Sequence, residues 1–149
     1  TPKPSSAASD VYKRQGHKAS IVYQRMFGDS MFPTLNGYIP QFYLLNWANQ
    51  PFMRPQERSW GIGYGYNFAE LGLPGLTFSS RFIKGSDIDL GRGVKGAENE
   101  RDLALKYVVQ SGALKGVGVE WKNYLVQQHD FGNDFNENRL YVTYTWNLF

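Results

Sequence analysis

Cysteine is absent from the 149 residues, which excludes a disulfide framework and any Cys-based metal site. No run of about 18 apolar residues occurs, so no helix is expected to cross a membrane. Histidine is scarce. His17 and His129 stand far apart, one at a strand start and one at a loop edge, with no second ligand at metal spacing. Serines are scattered and none sits in a G-x-S-x-G elbow, so the chain is expected not to be an enzyme, and no cofactor or metal is implied. Charge of one sign is also lacking: the net charge is +3, and it falls to +1 once the first sixteen residues are set aside. No basic stripe remains to suggest nucleic acid. There is no initiator Met and no signal peptide, which points to a missing N-terminal part.

What is abundant is ring and glycine: ten Tyr, ten Phe, four Trp and sixteen Gly, with negative mean hydropathy. A transmembrane β-barrel gives this combination, because half of each strand faces a wet lumen. The last strand states it best. Leu140, Val142, Tyr144, Trp146 and Leu148 alternate with Tyr141, Thr143, Thr145 and Asn147, and the chain stops on Phe149. Alternation makes one strand face apolar and leaves the other polar.

Residues 1–16 are different. They open with Pro2 and Pro4, show no period, and from Ser6 to Gln15 look like translated sequencing-adaptor sequence. They are expected to be a non-native or disordered tail, leaving residues 17–149 as the barrel segment. About six strands are expected there: His17–Met26, Glu57–Phe68, Leu76–Lys84, Arg101–Gln110, Val117–Gln127 and Arg139–Phe149, with a short extra piece at Gln41–Trp47. Trp60, Ile62, Tyr64 and Tyr66 share one face, as do Phe78 and Phe82, Leu105 and Tyr107, and Trp121 in its strand. With Val142, Tyr144 and Trp146 these form the predicted lipid-facing set. The connections alternate long and short, as loops and periplasmic turns do in outer-membrane barrels. The fold class expected is therefore all-β, an antiparallel up-and-down transmembrane β-barrel fragment that is an open curved sheet if alone. Six strands fall short of the smallest single-chain barrels, so the segment is expected to be the C-terminal part of a larger one, with its terminus in the periplasm.

Charged residues are weighed on that frame. Gly61, Gly63 and Gly65 repeat at a spacing of two, which is wrong for a dinucleotide fingerprint and fits small inward residues under an aromatic row. Asp87, Asp89, Asp130, Asp134 and Glu137 do not match a calcium loop and suit solvated loops. Arg81, Lys106 and Lys122 fall on inward positions, because a cation facing lipid costs ~2–4 kcal/mol at midplane. Two readings stay open for them: guidance of anionic solutes, or wall charge paired with Asp102 or Glu120. The competing fold is a soluble β-sandwich binding module with aromatic sugar platforms, which would bury its rings beneath a second sheet.

Several strings then carry a resemblance: Tyr23-Gln24-Arg25, Gly28-Asp29, Glu57-Arg58-Ser59-Trp60, Tyr66-Asn67-Phe68-Ala69, Leu71-Gly72-Leu73-Pro74-Gly75-Leu76-Thr77-Phe78, Tyr107-Val108-Val109-Gln110-Ser111-Gly112 and Asn138-Arg139-Leu140. From His17 to Phe149 the chain resembles, in order, the C-terminal third of the OprD family of substrate-specific outer-membrane porins. The resemblance implies the last third of an 18-stranded monomeric barrel in the bacterial outer membrane. It implies passive passage of small anionic or zwitterionic solutes bearing a carboxylate, such as amino acids, short peptides or aromatic acids. Inward loops narrow such a pore, and a ladder of basic residues lines it. Arg81 occupies the family's T-F-x-x-R position, with Lys106 and Lys122 as further rungs. Glu120 departs from the pattern, standing where many members carry a basic residue. The implied partners are outer-membrane lipid and, through the C-terminal strand with Phe149 as its assembly signal, the barrel-assembly machinery.

Overall fold

The computed structural model describes residues 6–31 and 49–145. Seven strands follow one another in chain order: β1 (Ser6–Arg14), β2 (His17–Arg25), β3 (Arg58–Asn67), β4 (Leu76–Asp89), β5 (Lys95–Val108), β6 (Val117–His129) and β7 (Phe135–Tyr144). Each pairs antiparallel with the next, giving one open sheet in the order β1 to β7. Among the described residues there is no second sheet, and this does not favour the sandwich.

The registers explain why the alternation was informative. Ile62 lies opposite Ile21 and Phe82, and Tyr66 lies opposite His17 and Phe78. Leu105 lies opposite Phe78 and Trp121, which in turn faces Leu140. Because side chains alternate with period two, a one-residue slip would exchange every one of these with its polar neighbour. The bulky residues therefore form continuous rows on one face. The other face carries Ser20, Gly63, Arg81, Asp102, Tyr124 and Glu137 in one row and Lys18, Gly65, Ser79, Ala104, Lys122 and Arg139 in the next.

The turns at one end of the sheet are compact. After β3, Phe68–Leu71 makes a 3-10 turn, with the Asn67 Oδ1 accepting from the Ala69 amide at 3.0 Å and Gly72 at φ 80° closing it. A residue other than glycine would resist that left-handed conformation.

Three expectations are corrected. First, the strand count rises from six to seven, since Ser6–Arg14 forms a hairpin with β2. Gln15 and Gly16, at φ 47° and 79°, make its two-residue turn, the left-handed pair that a tight hairpin requires. Second, the stretch 85–100 is not a long loop. β4 continues to Asp89 and β5 starts at Lys95, leaving only 90–94 as the turn. Third, β6 and β7 extend likewise, with 130–134 between them. The long-short alternation of loops is thus, among the described residues from β3 onward, an alternation of strand overhang. These extensions carry polar residues on both faces, such as Glu98 and Glu100 on one and Lys84 and Asn99 on the other. Without apolar contrast the period-two signal disappears although the backbone pairing does not. Gln41–Trp47, Trp146, Leu148 and Phe149 lie outside the described residues.

The connection between β2 and β3 returns over the polar face at the overhang end. Phe52 is fully buried against Val22 and Ile83. The Gln24 Nε2 donates to the Phe52 carbonyl at 2.7 Å, and the Met26 amide donates to the Glu57 carbonyl at 2.8 Å. The Asp89 amide donates to the Pro55 carbonyl at 2.9 Å. Gly85 is the position that admits this segment, because a Cβ there would run into the Glu57 carboxylate and the Phe52 ring.

Candidate functional site

The polar face of the sheet bounds a hollow of about 240 Å³, whose lining includes Lys18, Ser20, Arg81, Asp102, Lys122 and Tyr124. Small residues make the room. At Gly63 an added Cβ would come within 2.5 Å of the Ser20 hydroxyl, so the glycine is what lets Ser20 lie across the neighbouring strand.

The three cations singled out from sequence all stand on this face, and the structure treats them differently. Arg81 is clamped: its Nη2 and Nε donate to one Asp102 oxygen at 2.8 and 3.2 Å, with both side chains largely buried. Lys122 lies 3.6 Å from Glu120 and its ammonium sits over the Tyr141 ring at 5.2 Å. Lys106 faces Thr77 and Glu120 in register and is half-buried. The paired-wall reading therefore describes Arg81 and Lys122, and the Glu120 departure supplies the partner of Lys122.

Two further cations belong to the same wall. Lys18 lies beside Gly65, and Arg139 stands next to Lys122 across β6 and β7. The Arg139 guanidinium donates to both Glu137 oxygens at 2.6 and 2.8 Å and covers the Tyr124 ring at 4.8 Å. Their signal was available, because Lys18 and Arg139 each precede an outward residue in an alternating strand. Across the middle of β2 to β7 the face thus carries Lys18, Arg81, Lys106, Lys122 and Arg139 beside Asp102, Glu120 and Glu137, with Glu98 and Glu100 further along β5 toward the overhang end.

Above this wall lies a group of carboxylates that the sequence pattern does not single out, because Glu98 and Glu100 fall in a polar stretch between predicted strands and Glu57 only opens one. Glu57, Glu98 and Glu100 are fully buried. The backbone amides of Asn49 and Gln50 both donate to Glu100 at 2.6 Å, and the Arg54 amide donates to Glu57 at 2.9 Å. Arg54 also lies 3.6 Å from Glu98 and stacks on Phe131 at 4.3 Å. These bonds hold the returning segment on the sheet. Burial, reinforced by the nearby Glu98, pushes the Glu57 carboxyl up to about 8. Burial and the neighbouring Asp102 push Glu100 up to about 9.

The opposite face is apolar and uncovered. Trp60, Ile62, Tyr64, Leu105, Tyr107, Trp121, Val142 and Tyr144 are exposed, Val142 by 70%. Tyr66, Phe78 and Phe82 are half-exposed in the same rows. Rings meet edge to face there, Trp60 with Phe82 at 5.9 Å. Such a continuous apolar surface is far larger than water tolerates on a monomer. Among the described residues no helix is long and apolar enough to span a membrane, and no cluster of three metal-ligating groups occurs. Both histidines are exposed, and His17 bonds the Tyr64 hydroxyl at 2.8 Å.

Comparison with known proteins gives a consistent answer. Residues 5–148 match a family described as outer membrane porin, OprD family. The chain is 34% identical over 138 residues to the porin-like protein GalP of Pseudomonas putida, covering 91% of this chain and 32% of that protein. It is also 34% identical over 159 residues to Porin D of Pseudomonas aeruginosa, covering 90% of this chain and 35% of that protein. Among solved structures it is similar to OccK10 (OpdN) of Pseudomonas aeruginosa, with a TM-score of 0.90, 38% identity, and coverage of 97% of this chain and 41% of the other. OpdL of the same organism gives a TM-score of 0.87 at 40% identity, covering 95% and 40%. The chain spans about a third of the length of the curated relatives it matches.

Proposed function

The chain belongs to the OprD family of outer-membrane porins, and from this we propose that it forms the C-terminal third of a passive outer-membrane channel, without catalysis, for small carboxylate-bearing solutes. The observation that carries the reading is the division of the sheet into two faces of opposite chemistry. One is a continuous apolar surface suited to hydrocarbon. The other is a polar wall on which Lys18, Arg81, Lys106, Lys122 and Arg139 are interleaved with Asp102, Glu120 and Glu137. Solutes such as amino acids, short peptides or aromatic acids diffuse along that wall. Their carboxylates meet Lys18, Lys106 and the positive ends of the Arg81–Asp102 and Lys122–Glu120 pairs in turn. Each contact is weak and the next lies close by, which is what conduction with selectivity requires. A zwitterion suits a wall of paired charges, because its ammonium finds Glu120 or Asp102 while its carboxylate finds the neighbouring cation. The short turns lie on the periplasmic side and the overhanging hairpins outside, the usual asymmetry of such barrels.

Replacing Arg81 and Lys122 by Gln in the full-length protein tests this. Permeation of anionic solutes in liposome swelling is expected to fall several-fold more than that of neutral sugars of the same size. Equal losses for the two classes would remove the guiding role.

A further inference from the structure

The apolar face ends in a line of cations that the channel reading leaves unused. Tyr23, Trp60, Phe82 and Leu103 are outward-facing residues near the overhang end. The next outward position beyond Tyr23 is Arg25, beyond Trp60 is Arg58, beyond Phe82 is Lys84, and beyond Leu103 is Arg101. Arg58, Lys84 and Arg101 are exposed and Arg25 is half-buried. Counted from the short-turn end of its own strand, Arg25 stands eight residues up, Arg58 nine, Lys84 eight and Arg101 seven. The four are therefore level across four strands. At ~3.3 Å per residue and a tilt of ~40°, that level lies ~20 Å above the turns, close to the height of the apolar band of a barrel.

The row is short of anions. Arg25 and Arg58 lie directly opposite each other in the register, an arrangement that destabilises a strand pair unless something negative sits between them. The only carboxylate engaged along the row among the described residues is Asp87, 3.3 Å from Arg58. The Arg25 guanidinium covers the Phe27 ring at 4.8 Å, and its buried Nε has no hydrogen-bond partner among the described residues. Arg101 donates to the Asn123 Oδ1 at 2.8 Å, and Asn123 links on to Asn136 and Asn138, so the polar edge continues across β6 and β7.

We propose that Arg25, Arg58, Lys84 and Arg101 form a binding edge for the phosphates of the phosphorylated glycolipid in the outer leaflet. The inference rests on the porin reading, which sets this edge on the exterior side. Acyl chains lie along Trp60, Phe82 and Leu103, and the phosphates meet the cations where hydrocarbon ends. Neighbouring cations lie one strand apart, ~5–8 Å, so one lipid with two phosphates bridges strands and relieves the Arg25–Arg58 repulsion.

The test uses the full-length barrel in detergent with three probes: purified deep-rough lipopolysaccharide, its enzymatically dephosphorylated form, and phosphatidylglycerol. The unmodified protein is expected to bind the phosphorylated glycolipid at least tenfold more tightly than either alternative. Lys84→Gln and Arg101→Gln are each expected to weaken that binding about fivefold, as for a cation near an anionic surface. Indifference to dephosphorylation, or equal binding of phosphatidylglycerol, overturns the proposal on the unmodified protein, whether or not the variants assemble. Single-channel conductance is recorded in parallel. A barrel that conducts yet ignores the lipid phosphates sinks this inference alone, whereas a barrel that never conducts sinks the porin reading.

Discussion

The two ends of the sheet differ in what holds them, and the difference teaches how this sequence encodes a membrane wall. At the short-turn end, outward rows such as Tyr66–Phe78–Leu105–Trp121–Leu140 are exposed or half-exposed and face the surroundings of the sheet. At the overhang end the strands carry their own cover. Phe52, Ile83 and Val126 are buried, and Glu57, Glu98 and Glu100 are enclosed with them. One end leaves its rings exposed, and the other is packed by protein.

The largest expected effect breaks the first half of that comparison. Ile62→Arg puts a cation at mid-height on the apolar face, opposite Ile21 and Phe82, and is expected to cost ~2–4 kcal/mol of barrel stability in lipid vesicles. The control Ser79→Arg, on the polar face between Gly65 and Ala104, is expected to cost less than ~1 kcal/mol. Urea unfolding in lipid vesicles, followed by tryptophan fluorescence, reads both.

A smaller, pH-dependent effect sharpens the second half. The segment 49–57 rests on Glu57 and Glu100, whose carboxyls are raised from 4.5 to about 8 and about 9 by burial and by Glu98 and Asp102 respectively. A carboxyl whose value is raised in the packed state favours packing fully below pH 4.5. That contribution is lost as pH climbs through the packed-state values. Amide exchange of Asn49 and Gln50, corrected for intrinsic rate, should therefore speed up between pH 5 and pH 9.5. Protection that stays constant or grows over that range would mean the two carboxylates are ionised when packed.

The same two regions mark what was legible in the sequence. β3 and the Leu103–Tyr107 part of β5 sit in the band where one face must be apolar, so alternation located them and assigned their faces. Trp60, Tyr64, Leu105 and Trp121 emerged on one face for that reason. The inward positions of Arg81, Lys106 and Lys122 followed from the same parity, and Asp102 and Glu120 were already named as candidate partners. The overhangs were not legible. Beyond Lys84 and Arg101 neither face needs hydrocarbon, so β4, β5 and β7 continue through polar residues that resemble loop. Burial of Glu57, Glu98 and Glu100 depends on a segment distant in sequence folding back, which no local pattern announces. β1 was not legible because residues 1–16 show no period-two alternation and resemble a non-native tail, and Gln15 is an unusual residue for the left-handed position it takes beside Gly16.

The most direct test of the central division uses the absence of cysteine from these residues, which permits clean single-site labelling. Nitroxides are placed one at a time at positions 102 to 107 of the full-length barrel in bilayers, and their collisions with oxygen and with a water-soluble nickel chelate are measured. Labels at 103, 105 and 107 are expected to favour oxygen, and labels at 102, 104 and 106 to favour nickel. Accessibility that fails to alternate, or that reverses parity, would contradict the assignment of one face to lipid and the other to a wet lumen.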